Sequence, residues 1–182
     1  MFDAWSFQKR VNAGFGVMVA MVFLTTTIAV YALRAVAHVK DAVISVNAQN
    51  LIDAARLDTA INEQIAGFRG FIASPESSYK VEVEKGQREF TTLLPQLKGR
   101  VYTPEGKQLS DDIASAHALW LASKSRAMEV RSEKHGLDLA LRIMREQTLP
   151  LRAQVVEKID AFVAREQRLL QEANARSAAE AR

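Results

Sequence analysis

Arg145, Thr148 and Arg152 stand three and four positions apart, the spacing that puts side chains on one face of an α-helix. The planar guanidinium fork matches a carboxylate through two parallel hydrogen bonds, so two arginines flanking a hydroxyl suit a small organic anion or an amino acid. Arg69 lies near the end of an earlier helical stretch and Arg56 lower on it. If the two stretches are neighbours, Arg69, Arg145, Thr148 and Arg152 line one pocket, with Arg56 below it. The competing account leaves these arginines solvated or paired with Glu63, Glu146 or Glu157, the usual fate of surface charge. No fuller set of arginines marks the earlier stretch, which weakens the case for an amino acid.

Other chemistry finds little support. There is no cysteine, which removes thiol catalysis, thiolate metal sites and covalent haem attachment. His38, His117 and His135 sit on different segments without carboxylates at ligand spacing, so no metal or other cofactor is expected. Paired Glu-x-x-His motifs, a Gly-rich phosphate loop and a nucleophile–base arrangement are all lacking, and the chain does not read as an enzyme. The net charge is +3 with basic and acidic residues interspersed, a pattern that does not point to nucleic acid.

The positioning elements begin with an uncharged tract, Val11 to Leu33. At ~1.5 Å per residue it spans about 34 Å as a helix, enough to cross a hydrocarbon core of ~30 Å. Lys9 and Arg10 precede it and Arg34 follows. Phe2, Trp5, Phe7 and Tyr31 sit where interfacial aromatics gather, and the Thr25-Thr26-Thr27 hydroxyls can return to backbone carbonyls. A cleaved signal peptide ending near Ala35-Val36-Ala37 is the rival, but its apolar core would be far longer than the usual ~7–15 residues. The expected layout is a cytoplasmic N-terminus (1–10), a transmembrane helix (11–33) and an extracytoplasmic domain (34–182).

That domain reads as all-α. Ser74-Pro75-Glu76 and Thr103-Pro104-Glu105 share one grammar, a capping hydroxyl, a proline at the first helical position and an acid suited to the dipole. His135-Gly136 is expected to end a helix with glycine in the left-handed region. The breaks predict an up-down four-helix bundle with helices at about 35–73, 76–99, 104–134 and 137–182. The seams run through Val36, Val39, Val43, Val46, Ala54, Leu57, Ile61, Ile65, Phe68 and Ile72; then Tyr79, Val83, Gly86, Phe90, Leu93 and Leu97; then Leu109, Ile113, Ala116, Trp120 and Ala127; then Leu141, Met144, Thr148, Leu151, Val155, Ile159, Phe162, Glu166, Leu169 and Ala173. A period near 3.5 favours knobs-into-holes packing. Pro95 and Pro150 fall inside helical patterns and are expected to kink them. Asn50 interrupts the first seam and could set register in a homodimer, or sit exposed at a stutter. Trp120 reads as core. The last helix shows neither cap nor stop, so a longer protein with a downstream cytoplasmic signalling domain is expected.

With these features in place the chain resembles the extracytoplasmic sensor region of methyl-accepting chemotaxis proteins and, closely related, the third class of CHASE sensor domains. Phe68-Arg69-Gly70-Phe71-Ile72 followed by Ser74-Pro75-Glu76 is similar to the end of that family's first helix. Thr103-Pro104-Glu105-Gly106 with Trp120 resembles the third-helix opening. Ile159, Phe162 and Glu166-Gln167-Arg168-Leu169-Leu170 resemble the late fourth helix. The resemblance implies a homodimeric bacterial chemoreceptor of the inner membrane that transmits ligand binding by small helix displacements. The same sensor on a histidine kinase or cyclase, or a structural module with no small ligand, are the alternatives.

Overall fold

The structure, a computed structural model, describes the backbone of residues 7–180 and, within it, the side chains of residue 12, residues 14–31, 44–176, 178 and 179. Phe2, Trp5 and the side chains of Phe7, Lys9, Arg10 and residues 34–43, which figure in the anchor and first-seam expectations, lie outside the described residues. Among the described residues every regular element is helical: α1 (Phe7–Ala73), α2 (Ser77–Arg100), α3 (Pro104–Ser132), α4 (Leu137–Ile143), a single π-helical turn (Met144–Thr148) and α5 (Leu149–Glu180). The chain divides into two compact units, Met1–Val43 and Ile44–Arg182.

In the first unit, Gly14–Tyr31 is long and apolar enough to cross a membrane, by length and composition. Phe15, Met18, Met21, Val22, Phe23, Leu24, Ile28 and Tyr31 all point outward with most of their surface uncovered. The three threonines do not break this apolar surface with free hydroxyls. Thr25 donates to the carbonyls of Met21 and Val22, Thr26 to Val22 and Thr27 to Phe23, at 2.7–3.0 Å. Satisfying polar groups within the helix is what a hydrocarbon environment demands.

In the second unit the helices surround one core. Leu57, Ile61, Phe68 and Ile72 of α1 meet Phe90 and Leu97 of α2, Ile113 and Trp120 of α3, and Val155, Ile159 and Phe162 of α5. Each of these large side chains contributes ~1.5–3 kcal/mol by leaving water. The arrangement is a bundle of long helices, as the periodicity predicted, with α3 packed along α4, the π turn and α5.

Two local expectations are corrected. Ser74 does not cap α2: its N–H still bonds the Gly70 carbonyl at 2.8 Å, closing the last turn of α1. Its hydroxyl donates to Glu76 Oε1 instead, so α2 starts at Ser77 behind Glu76. Gly136 is not left-handed; it sits at φ −82°, ψ −3°. Glycine is needed there because a Cβ would drive into the Val130 backbone carbonyl. The Thr103 cap does form, its hydroxyl accepting from Gly106 N at 3.2 Å.

The proline effects take a specific form. α2 continues through Pro95. Before Pro150 the helix widens into the π turn, where Leu149 N–H reaches back to the Met144 carbonyl. Pro150 has no N–H for the Glu146 carbonyl and its ring crowds that group; a wider turn relieves both. At the far end of α1, Arg131 of α3 donates through Nε to the Ile72 carbonyl at 2.7 Å and through Nη2 to that of Ala73 at 3.4 Å. These are orphan acceptors of the helix terminus, here covered by a cation.

Candidate functional site

The sequence-predicted residues occupy different surroundings. Arg69 and Arg145 are exposed, and Arg56 is exposed with an ion pair to Asp53 at 3.8 Å. Thr148 is fully buried; its Oγ1 shares a 2.9 Å hydrogen bond with Ser123 Oγ of α3 and donates to the Ile143 carbonyl at 3.4 Å. Arg152 is half-buried and donates from Nη2 to Asn62 Oδ1 of α1 at 2.6 Å, while its Nε is buried without a partner. Arg145 and Thr148 lie within the π turn and Arg152 beyond it; the wider winding of that turn means that the face implied by an ideal 3.6-residue period is not kept.

Two polar clusters inside the bundle stand out. The first lies toward the Ile44 end of the unit. Asp53 of α1 is held by Arg100 from the end of α2, and its other oxygen accepts from Gln49 at 3.1 Å. Asn50 is buried and joins two groups: it accepts from Arg100 Nε at 3.4 Å and donates to Glu166 Oε2 at 3.2 Å. Glu166, wholly inaccessible, is also paired with Arg165. Arg165 donates to the Thr103 hydroxyl and lies 3.6 Å from Glu105, which Arg168 approaches to 3.5 Å. Every long element thus supplies a member. Asn50 faces into its own chain's bundle at this point.

The second cluster is in the middle of the bundle and is unbalanced. Lys124 of α3 is 1% exposed, yet no described carboxylate pairs with it. Its Nζ donates to Gln64 Oε1 of α1 at 2.6 Å and lies 4.7 Å from the centre of the Trp120 ring. Burial without a counter-charge lowers its pKa from 10.5 to about 8. Two turns earlier, His117 stacks on Phe90 of α2 with ring centres 3.8 Å apart and meets Trp120 edge-on at 5.7 Å. Burial, and then the Lys124 charge, lower its pKa to about 4, so the imidazole is neutral at pH 7. Gln64 Nε2, Trp120 Nε1 and His117 Nε2 are buried without partners. Beside this cluster a groove of about 320 Å³ runs between α2 and α3, with Lys124 forming part of its lining.

Sequence reasoning saw Trp120 as core, weighed His117 only as a metal ligand and passed over Lys124. The signal was available: Lys124 falls four residues after Trp120 and three before Ala127, on the seam itself.

The fold is thus an all-helical bundle with buried polar layers, in a chain that also carries an apolar helix of membrane-crossing length. The chain belongs to the CHASE3 domain family, whose model matches residues 41–176. CHASE3 is an extracytoplasmic sensor domain of signalling receptors, found in chemoreceptors and histidine kinases. No curated protein and no solved structure matches the chain.

Proposed function

We propose that this chain is the sensory part of a bacterial chemoreceptor of the methyl-accepting type, anchored in the inner membrane by residues 11–33, dimeric, and coupled to a cytoplasmic signalling domain. The observation that carries the reading is the CHASE3 match over residues 41–176 in one chain with a membrane-length apolar helix at Gly14–Tyr31. A ligand acts by binding one helix arrangement better than another, because only a difference in affinity shifts an equilibrium. Helix displacements of ~1–2 Å are ample for this when packed interfaces have discrete alternatives. Because α1 spans Phe7–Ala73, it is the element through which such a displacement reaches the anchor.

The same family serves histidine kinases, so a kinase sensor is the second reading. The output domain discriminates: a methylated helical hairpin in the full-length protein supports the chemoreceptor, a catalytic domain the alternative. The coupling itself is tested by inserting a flexible Gly-Ser stretch after Arg34 in the full-length receptor. Loss of stimulus response with retained ligand binding is expected; an unchanged response refutes the mechanism.

A further inference from the structure

Among the described residues, the buried Lys124 ammonium has no anion paired with it. The groups around it compensate it only in part: the Trp120 ring offers its face at 4.7 Å, but Gln64 Nε2 and Trp120 Nε1 can only donate, and neither has an acceptor. Buried polar groups are nearly always satisfied, so unpartnered donors gathered about one unpaired ammonium form a local excess of positive potential. Gln64 Oε1 supplies Lys124 with one acceptor, leaving two of its three protons for others.

The groove between α2 and α3 lies beside this excess. Lys124 contributes to its lining, Val83 and Met128 add apolar surface, and Lys80, Glu84 and Glu129 stand around it. Glu84 is engaged by Arg88 at 3.7 Å, one turn along its own helix, which reduces its opposition to an incoming anion. An acceptor-rich head on a short apolar body is the complement of such a surface. A carboxylate provides several lone-pair sites for the ammonium, and a body of a few carbons fits beside Val83 and Met128 in about 320 Å³.

We propose that the α2–α3 groove binds a small organic carboxylate, with Lys124 as its charge partner and Val83 and Met128 as its apolar wall. Resting on the sensor reading, this names the ligand class and moves the site away from the arginines of α1, the π turn and α5. Binding there lets the ligand compete with Gln64 for the Lys124 ammonium. A contact between α1 and α3 then depends on occupancy, which is the differential interaction a sensor requires.

The test uses the full 182-residue chain in lipid nanodiscs at pH 7, titrated with short aliphatic monoacids, diacids and amino acids, each beside its uncharged amide. Thermal melting and tryptophan emission are the readouts, the latter sensitive to the ring under Lys124. At least one acid should raise the melting temperature by several degrees and shift emission, its amide should not, and Lys124→Met should weaken it at least tenfold. Lys124→Gln, which keeps a hydrogen-bonding group opposite Gln64, guards against a folding artefact and should weaken binding equally. Glu129→Gln separates the sources: it should leave plain acids bound at least as tightly, since a carboxylate that opposes them is removed, and weaken amino acids if their ammonium lies near that carboxylate. A silent panel, an amide that binds as well as its acid, or full affinity in both Lys124 variants overturns the site. The Gly-Ser insertion judges the sensor reading separately, since any stimulus the intact receptor answers can serve there.

Discussion

Replacing His117 by phenylalanine should abolish a specific part of the acid sensitivity of this bundle. In the folded chain the imidazole titrates at about 4 instead of 6.5, because it is buried between Phe90 and Trp120 and faces the Lys124 charge. Between those two pH values the unfolded chain holds a proton that the folded chain does not. Stability therefore rises with pH across this window, and acidification from pH 6.5 to 4 removes it progressively. At ~1.36 kcal/mol per pH unit the full loss is about 3 kcal/mol. For a chain of this size, ~1 kcal/mol moves the melting temperature by about 2–4 °C, so the imidazole accounts for about 6–12 °C. Phenylalanine keeps the near-parallel stack on Phe90 and cannot take up a proton. Carboxylates also titrate near the lower end of the window, but both proteins share them, so the measured quantity is the difference between two curves of melting temperature against pH. The curves should converge toward acid if the variant starts lower at pH 7, and diverge in its favour otherwise, the variant gaining about 6–12 °C on the parent by pH 4. Parallel curves would refute the assignment of a neutral, proton-resistant imidazole to the core.

Two more outcomes follow from the buried charges. Lys124 titrates at about 8 in the fold against 10.5 unfolded, so the unfolded chain again holds the extra proton and the bundle should gain about 3 kcal/mol between pH 8 and 10.5. Lys124→Met should lose this alkaline gain and melt no lower than the parent at pH 7, since an unpaired buried cation is removed with its desolvation cost; equal gains in both proteins would contradict this. Glu166→Ala strips the Arg165 guanidinium of its buried partner and Asn50 of its acceptor, leaving Arg165 with Glu105 and Thr103. A loss of about 3 kcal/mol is expected, at the lower end of the cost of breaking a buried pair, against less than ~0.5 kcal/mol for Glu172→Ala on the exposed side of α5; equal melting temperatures for the two variants would show that the Glu166 pair contributes nothing.

What the sequence revealed and what it hid divide along the distance over which each interaction acts. Val155, Ile159, Phe162 and Glu166 were placed on the inner seam of the last helix by spacing alone, because burial follows the helical period. The Thr103 cap was legible because its partner, Gly106, is three residues away. The Glu166 position was visible, but not its reason: Asn50, its partner, is 116 residues distant. Ser74 misled because Ser-Pro-Glu permits more than one helix start, and the choice was made by a bond back to Gly70 at the end of α1. The similarity around Phe68-Arg69-Gly70-Phe71 gains a physical cause: a Cβ at Gly70 would strike the Tyr79 ring of α2, so this crossing needs glycine. The arginine face on the last helix assumed an uninterrupted α-helix, and the π turn at Met144–Thr148 removes that assumption.

The two polar layers differ in a way that bears on how a bundle can signal. Toward Ile44, opposite charges are matched: Asp53 with Arg100, Glu166 with Arg165, and Asn50 between them. Such a layer does not deform gradually. Stretching the 3.2 Å Asn50–Glu166 contact by even half an ångström takes it beyond hydrogen-bond range. In a dry interior a half-broken polar network is costlier than either complete arrangement, so helix shifts there are favoured in discrete steps. Around Lys124 the charges are unmatched, and an added anion can lower the energy of one arrangement by a large amount. A cluster that lacks a partner is suited to receiving a signal, and a cluster that tolerates only whole rearrangements is suited to passing it on. α1 carries members of both, Gln64 in one and Asn50 with Asp53 in the other, 11 to 14 residues apart, so a shift of this helix caused at the first cannot leave the second unchanged.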